Sequence, residues 1–326
     1  MKQELKKEFV ATPDPQIGSN SLCQSGTTTQ SALTSPESPT LDSPTPPFTS
    51  STFRIAVFDL DGTVLNNGIM SDAVEDALHK LRDNGIQVVV ATGRDISQIP
   101  SRVLKCFSYR ITTNGSSVTD PEGNIILDHP LSHKIVHQTL KIIRSHHGSS
   151  CLYFNGMVVA SPIFLIRILL GTNFASKSHR ASTKEVRKGK NLVRFRLGHY
   201  LNKKRLDVYK IQSFFKTAHD AQDCATHLND LGLVNPVIND ARNMEITLQG
   251  ITKASGLRQL CTLLNCPTSH VIAFGDSPND LDILSIAGFS VAMGNAEAPV
   301  KAQVNYITDS VSNDGVATAI HTLFSL

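Results

Sequence analysis

The sequence lacks several features that point to particular classes of protein. Tryptophan is absent and aromatic residues make up 6% of the 326 residues. The chain therefore shows no sign of the stacking surfaces that bind single-stranded nucleic acid. Charges nearly balance, with 31 Lys and Arg against 28 Asp and Glu, and the net charge is +3. Such a small excess gives no general attraction to nucleic acid or to an anionic membrane, so we expect neither as a partner.

Long apolar runs and paired cysteines are missing as well. The run PIFLIRILLG at residues 162–171 is too short to cross a bilayer and contains Arg167, so we expect it to pack inside a folded domain. The six cysteines include no CxxC pair and no zinc-ligand spacing. The N-terminus shows no secretory signal. These absences favour reduced thiols and a cytoplasmic location.

Residues 1–52 differ in composition from the remainder. They hold seven of the 15 prolines among many Ser and Thr residues, and they show no apolar periodicity. Such a segment buries too little apolar surface to offset its chain entropy, so we predict a disordered tail. Its acidic residues and its lack of Arg disfavour an organelle transit peptide. Beside a simple solvated tail, three roles stay open: docking, export without cleavage, and phosphorylation at the Ser-Pro pairs that begin at Ser35, Ser38 and Ser43.

An α/β pattern begins at residue 53. Buried-type strands alternate with amphipathic helices, which predicts a Rossmann-like parallel sheet with right-handed crossovers. Ser71 is a candidate N-cap for the first helix. The predicted strands cover residues 54–58, 86–91, 109–113 and 271–276. The predicted helices cover residues 96–104, 133–146, 254–264 and 314–325.

The α/β pattern is interrupted between residues 125 and 245 and returns near residue 250. We therefore predict a core formed by residues 53–124 and 246–326, with an α+β cap domain of residues 125–245 inserted into it. The insert contains a basic stretch at residues 177–205. This stretch fits a solvated face, and a site for an anionic substrate or a partner is the alternative.

The run FDLDGT places two carboxylates, Asp59 and Asp61, directly after a buried strand. Residues i and i+2 of an extended segment point the same way, so these like charges face one small space. Ligands of parallel sheets bind beyond the carboxyl ends of the strands, where Asp276 and Thr92 also follow predicted strands. A divalent cation would offset the repulsion, and Mg²⁺ favours carboxylates together with phosphate oxygens. The pattern predicts a magnesium site.

Four motifs resemble those of the haloacid dehalogenase superfamily in its phosphatase branch. They are FDLDGT, ATGR, the GITKASGL that contains Lys253, and GDSPNDLDIL. The chain is closest in pattern to the Cof-type sugar-phosphate phosphatases, because it also has TNG at residues 113–115, EI at residues 245–246, VAMGNA and DGVA. This resemblance covers about residues 53–118 and 243–326. It implies a Rossmann-like core and an inserted cap of the C2 type.

The resemblance also implies roles for individual residues. Asp59 would be the nucleophile, Asp61 the general acid and base, and Lys253 a catalytic cation. Mg²⁺ would be held by Asp59, Asp61 through its backbone carbonyl, and Asp276, with Asp280 next to them. The implied phosphate- and substrate-binding residues are Thr92, Gly93, Arg94, Asn114, Gly115, Lys253 and Asn279.

The function that the resemblance implies is that of a phosphoric monoester hydrolase. It would act with Mg²⁺ on a small phosphorylated metabolite through an aspartyl-phosphate on Asp59. Sugar phosphates, pyridoxal phosphate and flavin mononucleotide all remain possible substrates. A phosphomutase of the same superfamily is one alternative, and an exported or effector protein with a binding role is another. A P-type pump is excluded, because DKTGT and membrane spans are missing.

Overall fold

The computed structural model of the protein describes residues 48–154, 156–171 and 191–326. Most of the predicted tail and much of the basic stretch therefore lie outside the described residues. Phe48 belongs to the folded part: its ring contacts Phe53, Phe289 and Phe324 at centroid distances of 4.9, 5.1 and 5.9 Å. Residues 48–52, which the sequence pattern assigned to the tail, thus adjoin the core, because an aromatic anchor lies among them.

The first part of the chain alternates strands and helices as the pattern predicts. The strands are β1 (Ile55–Phe58), β2 (Gln87–Ala91), β3 (Tyr109–Thr112), β4 (Ser117–Thr119) and β5 (Ile125–Asp128). The helices are α1 (Asp72–Asp83) and α2 (Ser101–Leu104). Ser71 caps α1, since its side chain accepts a hydrogen bond from the amide of Val74.

The predicted helix over residues 96–104 is wrong in its continuity. A short 3₁₀ turn over Ile96–Gln98 ends at Ile99, and α2 begins only at Ser101. Pro100 separates the two segments, because proline disfavours helical geometry at the residue before it and suits only the start of a new helix.

The middle of the chain contributes six strands and four helices among the described residues. The helices are α3 (His133–Ser145), α4 (Pro162–Gly171), α5 (Leu197–Lys204) and α6 (Ala218–Leu231). The strands are β6 (Ser149–Phe154), β7 (Met157–Ala160), β8 (Asn191–Val193), β9 (Lys210–Phe214), β10 (Val234–Asp240) and β11 (Asn243–Leu248).

The last part of the chain returns to the first sheet. Its strands are β12 (Val271–Gly275), β13 (Phe289–Ala292) and β14 (Tyr306–Ile307). Its helices are α7 (Lys253–Leu263), α8 (Leu281–Ile286), α9 (Ala298–Lys301) and α10 (Gly315–Phe324).

Two sheets result. The larger has eight strands in the order β14-β13-β12-β1-β2-β3-β4-β5, and its first six strands pair in parallel. Apolar clusters lie on both of its faces, which is the usual environment of a parallel sheet. The smaller sheet has six strands in the order β10-β11-β9-β6-β7-β8, and most of its pairs are antiparallel. The α/β class with an added α+β unit is confirmed.

The strand pairing moves the predicted boundaries of the insert. Strand β5 lies within the predicted insert of residues 125–245, but it pairs with β4 in the larger sheet. The predicted insert ends at residue 245, but β11 continues to Leu248 in the smaller sheet. Both differences arise because strand pairing over long sequence distances, rather than local pattern, decides which sheet a segment joins.

The apolar run and five of the six cysteines of the sequence can be located among the described residues. None of their helices is long and apolar enough to cross a membrane. The run PIFLIRILLG forms α4, whose Phe164 is buried in an apolar cluster beside the smaller sheet. The five cysteines within the described ranges, Cys106, Cys151, Cys224, Cys261 and Cys266, are all buried free thiols.

Candidate active site

Acidic side chains meet where two neighbouring strands of the larger sheet, β1 and β12, end. Strand β1 lies between β2 and β12, so Asp59 follows the central strand and Asp276 follows its neighbour. The amide of Asp59 continues the ladder by donating to Phe274 O at 3.0 Å. Carboxylate oxygens of Asp59, Asp276 and Asp280 all lie within 4.8 Å of one another. The parallel register thus assembles a compact acidic cluster.

Lys253 lies within this acidic cluster. Its ammonium donates to Asp59 Oδ1 at 2.6 Å and to Asp280 Oδ1 at 2.7 Å, and its side chain is only 2% exposed. Lys253 is the first residue of α7, and a reciprocal capping box between Thr252 and Ser255 fixes that helix start. The capping box therefore determines where the Lys253 side chain enters the site.

Gly115 supports the same helix start from below. Its φ is +93°, and a Cβ placed on it would lie 2.0 Å from Thr252 O. Only glycine allows both this left-handed backbone and this close approach. The structure thus places Gly115 against the turn that carries Lys253.

Asp280 is fully buried, and both of its oxygens accept hydrogen bonds. Oδ1 accepts from Lys253, while Oδ2 accepts from the amides of Asp276 and Ser277, each at 3.1 Å. Asn279, one residue earlier, has its side-chain oxygen bonded to Ser277 Oγ. The carboxylate of Asp280 therefore holds the loop after β12 and orients Lys253 at the same time.

Asp276 is held by groups from two further loops. Its Oδ1 accepts from Thr63 Oγ1 at 3.2 Å, and its Oδ2 accepts from Asn295 Nδ2 at 3.3 Å. Asn295 also donates to Gly62 O at 2.9 Å. Gly62 has φ +90°, and a Cβ there would lie 2.2 Å from Asp276 Oδ2. The glycine of FDLDGT thus leaves room for the second carboxylate of the cluster.

The cluster carries more negative charge than Lys253 neutralises. Burial raises the pKa of Asp59 from 3.8 to about 7, and Asp280 adds to this rise while Lys253 opposes it. Burial and the charge of Asp59 raise the pKa of Asp276 from 3.8 to about 8. Burial alone lowers the pKa of Lys253, but Asp280 and Asp59 outweigh it and raise that pKa above its ordinary value.

This charge imbalance favours binding of a divalent cation. Ionisation of both Asp59 and Asp276 is costly in this cluster. Both residues lie at the carboxyl ends of parallel strands, where ligands bind. A hard cation with oxygen ligands relieves that cost, and Mg²⁺ has this preference. The residues present therefore fit Mg²⁺, with Asp59 and Asp276, the two carboxyl groups whose pKa is raised, as its carboxylate ligands.

Asp61 faces another partner. Arg94 donates hydrogen bonds to both of its carboxylate oxygens, from Nε to Oδ2 at 2.6 Å and from Nη2 to Oδ1 at 2.5 Å. The carboxylate is 44% exposed, whereas the Arg94 side chain is 8% exposed. Arg94 also donates to Gln98 O at 3.1 Å. Asp61 is thus accessible, and the bidentate contact with the buried Arg94 guanidinium orients its carboxylate.

The loop after β2 carries Thr92, Gly93 and Arg94. The amide of Arg94 donates to Thr92 Oγ1 at 3.2 Å, so the threonine hydroxyl keeps its own proton for another acceptor. The carbonyl of Gly93 accepts from Lys210 Nζ at 2.5 Å. Asn114 lies beside this loop, and its Nδ2 donates to Glu245 Oε2 at 2.7 Å.

The structure adds residues that the sequence reasoning did not place in the site. Thr63 and Asn295 hold Asp276, while Lys210 and Glu245 reach the loop of Gly93 from the smaller sheet. Thr63, Glu245 and Asn295 lie in motifs of the sequence, FDLDGT, EI and VAMGNA, and these motifs are the available signal. Lys210 stands in no motif, and its contact with Gly93 spans 117 positions of the chain.

Comparison with known proteins identifies the class of this chain. A family model described as haloacid dehalogenase-like hydrolase matches residues 56–320. The match covers most of the chain, and the chain therefore belongs to this family, in its Cof-type branch. Its enzyme class is that of the phosphoric monoester hydrolases.

Individual relatives agree with this assignment. The chain is similar to "Phosphatase YwpJ" of Bacillus subtilis (strain 168), with 30% identity over 285 residues that cover 81% of this chain and 97% of the relative. It is also similar to "5-amino-6-(5-phospho-D-ribitylamino)uracil phosphatase YcsE" of the same organism, with 28% identity, covering 82% and 94%. A solved haloacid dehalogenase-like hydrolase from B. subtilis superposes with a TM-score of 0.72 at 24% identity, covering 82% and 99%, which shows the shared fold.

Proposed function

We propose that the chain is a Mg²⁺-dependent phosphatase that hydrolyses a small phosphorylated metabolite through an aspartyl-phosphate on Asp59. One observation carries this proposal. Lys253 donates a hydrogen bond to Asp59 Oδ1, which leaves Asp59 Oδ2 for an incoming phosphoryl group. Asp59 lies at the carboxyl end of a parallel strand, where ligands bind. The named substrate of the relative YcsE, a ribitylaminouracil phosphate, supports a small organic phosphate monoester as the substrate class.

In the first half of the proposed reaction, a carboxylate oxygen of Asp59 attacks the phosphorus atom in line with the leaving oxygen. The new bond joins that carboxylate oxygen to phosphorus, and the phosphorus–ester oxygen bond breaks. Asp61 enters this step in its protonated form, gives that proton to the leaving alkoxide and becomes a carboxylate. The Asp61 carboxyl group is 44% exposed and is oriented by Arg94, so a bound substrate can contact it.

In the second half, Asp61 takes a proton from a water molecule that attacks the same phosphorus atom. The bond between phosphorus and Asp59 breaks, which releases inorganic phosphate and restores the carboxylate. When bound by Asp59, Asp276 and the backbone carbonyl of Asp61, Mg²⁺ would neutralise negative charge on the carboxylates and on the phosphoryl oxygens.

The remaining groups bind and position the phosphoryl group. The Thr92 hydroxyl and the Gly93 amide donate hydrogen bonds to phosphoryl oxygens. Lys253 neutralises the negative charge of Asp59 and of the phosphoryl group during the transfer. Asp280 orients Lys253 through its hydrogen bond. Asn279, whose side chain bonds to Ser277 in the loop after β12, helps to position the phosphoryl group. Phosphoryl transfer depends mainly on such positioning and charge stabilisation, so each of these contacts contributes to the rate.

Phosphate release from a panel of small phosphate monoesters tests this function. The panel contains sugar phosphates, a ribityl phosphate, pyridoxal phosphate and flavin mononucleotide, each measured with Mg²⁺ and with a chelator. We expect metal-dependent release that Asp59→Asn abolishes. The matched control is Asp230→Asn, which removes an exposed carboxylate on α6 and should change nothing. A folded protein that releases no phosphate from any compound in the presence of Mg²⁺ would overturn the proposal.

A further inference from the structure

A buried lysine of the smaller sheet contacts a loop that follows a strand of the larger sheet. Lys210 lies on β9 and is 2% exposed, and its ammonium donates to the carbonyl of Gly93 at 2.5 Å. The same ammonium pairs with Glu245 Oε1 at 2.6 Å and lies 4.3 Å from the ring centroid of Tyr153. A cation from the inserted domain thus contacts the backbone of the phosphate-binding loop proposed above.

Glu245 completes a connection between two loops of the core. Its Oε2 accepts from Asn114 Nδ2 at 2.7 Å, and Asn114 stands in the left-handed region with φ +56°. Burial acts to raise the pKa of Glu245, but Lys210 and Asn114 outweigh burial and hold that pKa below its ordinary value. The carboxylate is therefore ionised, and it links Lys210 to the loop of Asn114.

The fit around Gly93 is tight. A Cβ on Gly93 would lie 2.8 Å from Asn114 Oδ1 and 3.1 Å from Glu245 Oε2. The peptide after Gly93 is therefore enclosed by the ion pair and by Asn114, and it has little freedom to rotate.

That peptide connects Lys210 to the proposed catalytic groups. In a trans peptide the carbonyl and the amide point in opposite directions. The Gly93 carbonyl faces Lys210, so the Arg94 amide faces the other way and donates to Thr92 Oγ1. The orientation of a single peptide thus sets the Thr92 hydroxyl, and the same peptide leads into Arg94, which grips Asp61.

The ion pair is not explained by stability of the sheet. Taking both charges out of water costs free energy that their attraction need not recover. The opposite face of the same strands is packed by apolar residues such as Ile211 and Ile246, which already hold the sheet. A geometric role for the pair accounts for its place at the loop.

We propose that Lys210 and Glu245 are positioning residues for phosphoryl transfer, which fix the Gly93–Arg94 peptide and thereby orient Thr92 and Arg94. This inference rests on the proposed phosphatase function. It implies that the inserted domain does more than cover the substrate, because it supplies the group that holds the phosphate-binding loop in its working geometry. Small misplacements of such groups reduce rates by about 10²-fold.

The test compares four variants with the wild type: Lys210→Met, Glu245→Gln, the double variant Lys210→Met/Glu245→Met, and Lys216→Met. Lys216 is an exposed lysine just after β9 and serves as the matched control. The readouts are kcat and KM on the best substrate of the panel, binding of orthovanadate with Mg²⁺ by titration calorimetry, and thermal unfolding.

We expect Lys210→Met to lower kcat by about 10²-fold, with a smaller change in KM and weaker orthovanadate binding. Glu245→Gln should show the same pattern to a smaller degree, and it keeps the shape of the side chain should Lys210→Met fail to fold. The double variant removes both buried charges, so it should unfold near the wild-type temperature and yet remain slow. Lys216→Met should match the wild type in every readout.

Two results would overturn the inference while leaving the phosphatase proposal intact. The first is wild-type kcat and orthovanadate affinity in folded Glu245→Gln and Lys210→Met. The second is recovery of kcat in the double variant, since the defect would then come only from an unpaired buried charge. A wild-type protein that releases no phosphate would instead overturn the proposed function itself, so the two failures are distinguishable.

Discussion

Arg94 holds both carboxylate oxygens of Asp61 from a buried position, while Asp61 itself stays 44% exposed. The two aspartates of FDLDGT therefore lie in different surroundings. Asp59 is buried against Lys253, and Asp61 is accessible and fixed by a guanidinium group. This difference explains how two identical side chains, two residues apart, can act as nucleophile and as proton carrier in the proposed reaction.

Replacing Arg94 tests the orientation of Asp61. Arg94→Lys keeps a positive charge but loses the two-pronged geometry, so we expect kcat to fall by about tenfold or more, with a larger loss for Arg94→Met. Steady-state kinetics on the best substrate measures this. Arg102→Lys is the matched control, because Arg102 also contacts two carboxylates, Asp72 and Glu75, but at an exposed surface. Equal losses in both arginine variants would contradict the account.

Removing Lys253 should affect stability as well as activity. Lys253→Met leaves the buried carboxylates of Asp59 and Asp280 without their shared cation, which should cost about 3–5 kcal/mol of unfolding free energy at neutral pH. Denaturant unfolding without Mg²⁺ measures the cost, and phosphate release should disappear. The control Lys80→Met removes an exposed lysine of α1 and should leave both properties unchanged. A Lys253→Met protein with wild-type stability would refute the charge balance described for the site.

The stabilising effect of Mg²⁺ on the folded protein should depend on pH. The pKa values of Asp59 and Asp276 rise to about 7 and about 8 in the folded protein without metal, from 3.8. Between about pH 4 and pH 8 the folded state thus binds more protons than the unfolded chain, so its stability decreases as pH rises. Mg²⁺ requires the ionised carboxylates, and its stabilising effect should therefore increase with pH.

Thermal unfolding with Mg²⁺ and with a chelator, at about pH 5 and about pH 8, measures this linkage. We expect a larger Mg²⁺-dependent shift in Tm at the higher pH. Asp276→Asn should remove most of the shift, because it deletes one of the two carboxylates. An equal shift at both pH values would show that these carboxyl groups do not hold the metal.

Gly115 offers a test of how the helix start positions Lys253. Gly115→Ala brings a Cβ against Thr252 O and strains a backbone with φ +93°, so we expect a loss of at least about 2 kcal/mol in unfolding free energy. Phosphate release should decrease with it. Gly123→Ala is the control, since Gly123 has φ +88° but nothing within 4 Å of the added Cβ. Denaturant unfolding should show a clearly smaller loss for the control.

The sequence predicts the central strands of the core because each is a short apolar run that ends in a polar motif. The same feature placed Asp59 and Asp276 at one sheet edge, as the register of β1 and β12 shows. Local pattern failed where tertiary pairing decides the outcome. Strand β5 looks like the start of the insert but pairs with β4, and Pro100 breaks a segment whose apolar periodicity continues through it.

Lys210 could not be found by the same reasoning. It stands in the part of the chain where motif similarity is weakest, and an isolated lysine within a strand is normally a solvated residue. Its burial follows from the approach of the smaller sheet to the loop of Gly93, a contact between residues 117 positions apart. Glu245 belongs to a motif of the sequence, but its hydrogen bond with Asn114 is likewise a tertiary contact.

Trapping of the phosphorylated protein tests the central claim most directly. The protein is mixed with ³²P-labelled acetyl phosphate and Mg²⁺, quenched in acid within one turnover, and digested for peptide mapping. We predict label on the peptide that contains Asp59, loss of the label in alkali as for an acyl phosphate, and no label in Asp59→Asn. Turnover without labelled protein, together with retained turnover in Asp59→Asn, would contradict the covalent role of Asp59.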